Sequence, residues 1–381
     1  MRKRSLESVF RLDPGWIPPP HHEGNELLPP PPRRKRAARG GLTTLAILLW
    51  VTAGCSSNPL GGAPRTIEPA RAAVSPPASQ RPTGAVRPLA GHAAAAVFDA
   101  GTHQLAVLTP GADPTAPASI TVFGNAQVTP RVVELPGPAT ALADDGRGTA
   151  YLAARGGYFA VELSTGRVTQ VAVADAAQTE FTAVARRADG KLVLGSADGA
   201  VYTLASQAPA TVTSATVANR SKIFARVDAL AAQGDTTVVL DRGQTSVTTL
   251  GADGHAQQAL RAGRGATTMS ADPAGRVLVA DTRGGQLLVY GVDPLILRQA
   301  YPVPAAPYGL AGSRALAWVS QTVSNMVIGY DLSTGIPVEK VRYPTVQQPN
   351  SLAFDEASGT LYVVSGSGAG VQVIEHAAGT R

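Results

Sequence analysis

Residues 181–205, FTAVARRADGKLVLGSADGAVYTLA, decide the fold. A small, apolar segment is followed by the pair Asp189-Gly190, a buried run Leu192 to Leu194, a second Gly-containing turn and the alternating stretch AVYTL. Asp-Gly pairs supply the positive φ angles that tight hairpins demand, so these are strands joined by short turns. No sustained 3.6-residue apolar period occurs here or elsewhere downstream, which predicts almost no helix outside the N-terminal region.

The same order recurs through residues 83–376. Seven segments open with a small, apolar strand centred on Ala96, Leu142, Val184, Leu230, Met269, Leu310 or Leu352, at successive spacings of 46, 42, 46, 39, 41 and 42 residues. Each unit ends in a more polar fourth strand, such as RVVEL at 131–135. Four strands in a period of about forty residues make a propeller blade. The residues beside each marker are also small, among them Ala183 and Ala185, and Gly309 and Ala311. Sheets that converge on an axis have least room on their innermost strands, a demand that a two-sheet sandwich does not make. The expected fold is therefore all-β, a seven-bladed β-propeller of four-stranded blades. The last unit ends near Ile374 with three strands. Val86 to Leu89 are expected to supply the fourth beside residues 371–374 and so remove an exposed edge.

Upstream of the repeats the composition changes. The chain carries 33 basic and 27 acidic side chains, a formal net charge of +6, but 9 of the basic and 4 of the acidic groups fall in residues 1–54. The remainder is close to neutral, and no nucleic-acid-binding surface is indicated. Residues 33–41, RRKRAARGG, precede an uncharged run from Leu42 to Val51 and then Thr52-Ala53-Gly54-Cys55, which holds the only cysteine. A basic segment, an apolar run about half the length that spans a bilayer, and small residues at a cleavage point make a secretory signal. Residues 1–32 read as a Pro-rich leader, disordered or upstream of the true translation start. Residues 33–54 read as a lipoprotein signal peptide, 55–82 as a disordered Ser/Pro/Ala tether, 83–376 as the propeller and 377–381 as a disordered tail.

Three resemblances follow. Val51 to Cys55 resembles a bacterial lipobox, which implies diacylation of the Cys55 sulfur and cleavage just before it; the alternative is plain secretory cleavage near Ala53. Residues 316–341, LAWVSQTVSNMVIGYDLSTGIPVEKV, are similar to a repeat of the YVTN or YncE-like seven-bladed propellers. Ser324-Asn325-Met326-Val327 and Asp331-Leu332-Ser333-Thr334-Gly335 match, while Gln321 replaces the first Asn of that pattern. From Cys55 onward, CSSNPL, TIEPA, AVRPL, AARGGYF and DGKLVLGSADGAVYTLA resemble the LppL-type conserved lipoproteins of mycobacteria. That resemblance implies a lipoprotein held by a lipid anchor on the extracytoplasmic face of the cell membrane, and it implies no reaction.

Catalytic motifs are sparse. The chain has no G-x-S-x-G, P-loop, H-E-x-x-H or EF-hand pattern. His92, His103, His255 and His376 fall on expected turns or rims, far apart, and no metal set is assigned. The glycine-rich stretches 261–268 and 365–370 open no helix and read as blade turns. The best place for a site is the axial channel. Counting two residues back from each marker gives Ala94, Thr140, Thr182, Asp228, Thr267, Tyr308 and Asn350 as candidate lining residues, with Asp228 the one carboxylate. Arg186, Arg187 and Arg226 would make one mouth attractive to an anion. No catalytic residue and no cofactor is assigned. The favoured reading is a non-catalytic binding or scaffolding module of the cell envelope, tethered to the membrane through acylated Cys55 and contacting an envelope protein or a glycan. The alternative is a hydrolase or lactonase-like enzyme using Asp228 as a metal ligand or base.

Overall fold

A computed structural model describes residues 64–124, 129–205 and 213–379. Cys55, the expected leader and signal peptide, the start of the expected tether and the last two residues of the expected tail lie outside the described residues. Every element among the described residues is a β-strand, and the strands form seven sheets. Blade 4 shows the common pattern, with Ala229–Gln233, Thr236–Asp241, Ser246–Leu250 and Ala256–Arg261 paired antiparallel in chain order. The fold is a seven-bladed β-propeller. Its inner strands are Ala95–Asp99, Ala141–Asp144, Phe181–Arg186, Ala229–Gln233, Ala266–Asp272, Pro307–Gly312 and Pro349–Asp355.

The ring closes as the repeat count requires. Ala85–Arg87 pairs antiparallel with Val371–Ile374, Ala85 opposite Val373 and Arg87 opposite Val371, and becomes the outermost strand of blade 7. Blade 2 departs from the four-strand rule: Ser214–Ala215, from the connection inside blade 3, adds a short parallel strand to the outer strand Val168–Val173. The outer edge of blade 2 is thereby covered by its neighbour.

The apolar core is distributed among the blade interfaces. Leu240 and Tyr290 pack between blades 4 and 5, Trp318 and Leu361 between blades 6 and 7, and Val364 and Leu105 between blades 7 and 1. Aromatic pairs span two of these seams, Trp318 with Phe354 at 5.8 Å and Phe98 with Tyr362 at 5.5 Å between ring centres. The small residues beside the markers have a direct cause in this geometry. A Cβ on Gly309 would meet the carbonyl oxygens of Pro349 and Asn350 in the next blade at 3.1 Å, and one on Gly312 would meet Ala271 O of the preceding blade at 2.9 Å. Neither distance leaves room for a methyl group without movement.

The expected tether is corrected over its second half. Residues 64–76 form a strap along one face of blades 4 to 7. Ile67 N donates to Gly243 O at 2.8 Å, and the carbonyls of Glu68 and Ala70 accept from Arg283 and Arg242. Ser75 N donates to Gln348 Oε1 at 2.9 Å, its hydroxyl donates to Thr322 O at 2.6 Å, and Pro76 O accepts from Asn325 Nδ2 at 2.8 Å. Ala70 and Ser75 are buried. A Ser/Pro/Ala segment without apolar periodicity reads as a linker because it has no core face of its own. Here main-chain groups meet polar side chains from the turns of four different blades, and no apolar pattern is needed.

Candidate functional site

The seven inner strands surround an axial channel of ≈ 680 Å³. Five consecutive residues in or just before each strand line it, and all seven residues picked from the spacing are among them. They form the ring at the mouth on the strap face. Phe98, Asp144, Arg186 and Phe354, four residues further along their strands, lie at the far end.

The ring residues differ in what their side chains do. Thr140 donates its hydroxyl to Phe181 O at 2.8 Å, and Thr182 donates to Val227 O at 2.5 Å, so each ties its blade to the next. Thr267 Oγ1 lies 2.5 Å from Thr282 Oγ1, which donates to Pro307 O at 2.6 Å. Ser320 repeats the device in blade 6 by donating to Pro349 O at 2.5 Å. These hydroxyls stitch blades together, and Ala94 brings no polar group. The chemistry open at this mouth belongs to Asp228, Tyr308 and Asn350.

Asp228 Oδ2 accepts from the backbone N–H of Arg242 at 2.8 Å, and Oδ1 lies 3.3 Å from Arg226 Nε. Burial raises its pKa, opposed by the Arg242 N–H and by the charges of Arg242 and Arg226. Burial also raises the Tyr308 hydroxyl, with the Arg242 charge acting against it. Arg242 therefore stands near both groups, and it lines the channel itself. Asn350 Oδ1 accepts from Gln348 Nε2 at 2.9 Å, the amide that also donates to Ala73 O of the strap.

Spacing alone does not find Arg242 or Asp144. Arg242 follows the second strand of its blade, in a turn DRGQ that recurs as DTRGGQ at 281–286, and that repetition is the available signal. The expected basic mouth is corrected. Arg226 lies at the strap-face mouth, Arg186 lies at the far end, and Arg187 is buried, 2.7 Å from Asp189 Oδ2 and 3.0 Å from Ala252 O in blade 4. The cause is that an inner strand runs the length of the channel, so its two ends cannot share a mouth.

The remaining candidates have structural surroundings. In stretch 261–268, the N–H groups of Arg264 and Gly265 donate to the buried carboxylate of Asp281 at 2.9 and 2.8 Å. That cradle is filled by an internal anion. In 365–370, Ser367 N and Ala369 N donate to Ser365 Oγ at 3.1 and 3.0 Å, closing a turn. No histidine among the described residues lines the channel, and no group of three His, Cys, Asp or Glu side chains among them converges to hold a metal ion.

No family model and no curated protein matches the chain. Solved structures do match in fold. A chain of a mitotic checkpoint complex aligns with TM-score 0.63 at 11% identity, covering 80% of this chain and 98% of its own. A hydrazine synthase chain of Kuenenia stuttgartiensis aligns with TM-score 0.61 at 11% identity, covering 79% of this chain and 100% of its own. A catalytically inactive, histidine-to-alanine variant of the virginiamycin B lyase of Staphylococcus aureus with quinupristin aligns with TM-score 0.59 at 9% identity, covering 76% of this chain and 97% of its own. Similarity at this level is one of fold, which supports many unrelated functions.

Proposed function

We propose that the protein is a lipid-anchored, extracytoplasmic binding or scaffolding module of the cell envelope, related to the LppL-type lipoproteins, whose axial channel receives a polar group of a protein or glycan partner. The anchoring part of this reading is supported by the sequence from Arg33 to Cys55, with its single thiol at the lipobox position. The binding part is carried by one observation. The channel volume falls within the range of small-ligand sites, and Arg242, Tyr308 and Asn350 gather donors and an acceptor at one mouth. Catalysis has less support. Asp228 is held by an N–H and an arginine, and the channel's other carboxylate, Asp144, belongs to the far end. The lyase in the comparison is inactive when a histidine is replaced, and no described histidine lines this channel.

The test is co-purification from cross-linked membranes, comparing the parent chain with Tyr308→Ala and Asn350→Ala. Loss of the partner from both variants at unchanged thermal stability is expected, and undiminished capture by both refutes use of the ring. Stoichiometric metal in the purified full-length protein would favour the hydrolase reading instead. For the anchor, the mature N-terminal peptide should begin at Cys55 with a diacylglyceryl mass, and Cys55→Ala should release the protein from the membrane fraction.

A further inference from the structure

The strap changes what the anchor does to the propeller. Only nine positions separate Cys55 from Pro64, a reach of at most about 32 Å fully extended. Beyond Pro64 the chain is fastened, first to Gly243 through Ile67 and then to Arg283 and Arg242 through Glu68 and Ala70. An anchored chain would therefore hold the strap face of blades 4 and 5 close to the bilayer.

The charge on that side fits such a neighbour. Arg65 and Arg71 of the strap, Arg226 and Arg264 of the loops entering inner strands, and Arg283 of a neighbouring turn are all exposed. Among the described residues, Arg226 alone of these five makes a carboxylate pair. Glu68 is the exposed acidic group on this side, Asp228 is largely buried, and the buried carboxylates of Asp241 and Asp281 are occupied by main-chain N–H groups of the loops that carry Arg226 and Arg264. Asp113, Asp175, Glu180 and Asp198 belong to the other half of the same face, so the positive field is confined to the side where the strap begins. Apolar side chains protrude on the same face: Ile67 and Ile223, half exposed, on the side of the arginines, and Val323, half exposed, with Val74, 88% exposed, further along the strap over blades 6 and 7. Basic residues interleaved with protruding aliphatics match an anionic headgroup layer over shallow hydrocarbon.

We propose that this side of the propeller docks on an anionic lipid surface, with the strap as the contact element. The inference rests on the anchored reading above. Docking turns the mouth of Asp228, Tyr308 and Asn350 toward the membrane, so the protein or glycan group received there is one presented at the membrane surface, and it leaves the mouth of Asp144 and Arg186 facing away.

The test uses the full-length, lipidated protein reconstituted into vesicles of phosphatidylglycerol mixed with phosphatidylcholine, or of phosphatidylcholine alone, each carrying a lipid-borne fluorescence quencher. A thiol-reactive dye is placed at Val74→Cys on the strap or at Ala357→Cys, an exposed turn residue on the far face. Quenching at position 74 should exceed that at 357 by about threefold on anionic vesicles, and about 1 M salt should abolish the difference because the Debye length falls to about 3 Å. The triple variant Arg65→Ser, Arg71→Ser, Arg264→Ser should abolish it too, at unchanged melting temperature. Equal quenching at the two positions, or the same difference on phosphatidylcholine alone, overturns the proposal. An acylated Cys55 cannot take up dye. Labelling of the parent chain therefore signals that the anchoring reading has failed; the docking surface is then judged by sedimentation of the full chain with the same vesicles, and absence of charge-dependent sedimentation overturns it.

Discussion

Asp144, at the far end of the channel, has its carboxyl pushed up to about 6 by burial, with the Gly146 N–H opposing the shift and the charges of Asp99 and Asp145 adding to it. The folded state thus holds a proton that the unfolded chain, near its ordinary value of 3.8, has already released. Stability from this residue is complete below about pH 4, declines as pH rises toward 6 and stays reduced above it. Asp144→Asn should leave urea unfolding unchanged at pH 4 and stabilise the protein at pH 8 by about 2 kcal/mol, allowing for partial solvent access. An equal effect at both pH values would refute the assignment. Asp281 is a buried carboxylate enclosed by main-chain donors. Its carboxylate accepts from the N–H groups of Arg264, Gly265 and Gly284, in a space where a Cβ on Gly263 or Gly284 would clash with it. Asp281→Ala leaves three inward N–H groups without a partner and should cost about 2–4 kcal/mol in denaturant unfolding.

At the scale of elements, the closing strand and the strap are adjacent in sequence yet differ in weight. Ala85–Arg87 completes a sheet and covers the edge of blade 7, so deleting residues 83–90 should lower the melting temperature by roughly 10 °C and promote aggregation. The strap is held by a handful of hydrogen bonds whose net worth is about 1 kcal/mol each, offset by the entropy of ordering its residues. Its removal should cost only about 1–2 kcal/mol in denaturant unfolding, and equal losses for the two deletions would refute this division. The difference in weight matches what the sequence makes legible. The inner strands and the closing strand are readable because the small flanks, such as Gly309 and Ala311, and the missing fourth strand are demands of the ring repeated at every blade. The strap is not readable, since its partners Gln348, Asn325 and Thr322 lie some 250 residues away in turns with no pattern of their own. For the same reason Thr140 and Thr182 register as channel residues although their hydroxyls serve carbonyls of the next blade. Arg242 sits in a turn, where side-chain direction follows local backbone geometry and not strand alternation.

At the scale of the whole molecule, the question is whether seven repeats behave as an array or as one body. In an open array each repeat touches only its neighbours and damage stays local. Here every blade has two apolar seams, the seam between blades 7 and 1 included, and blade 7 itself is built from both ends of the described chain. No blade can leave without exposing two interfaces. Gly309 offers a way to strain one seam, because a side chain there must displace the Pro349 and Asn350 carbonyls of blade 7 or the Ser320 hydroxyl. Gly309→Val should cost about 1–3 kcal/mol as an overpacked site. A closed ring predicts that the loss is shared. Calorimetry should give a single transition at lower temperature with calorimetric and van't Hoff enthalpies equal, and native-state hydrogen exchange should show the same decrement in Leu192–Ser196 of blade 3 as in Ala317–Gln321 of blade 6. Loss of protection confined to blades 6 and 7, or a calorimetric enthalpy well above the van't Hoff value, would mean that the blades unfold piecemeal and that strand 85–87 closes the ring geometrically without coupling it.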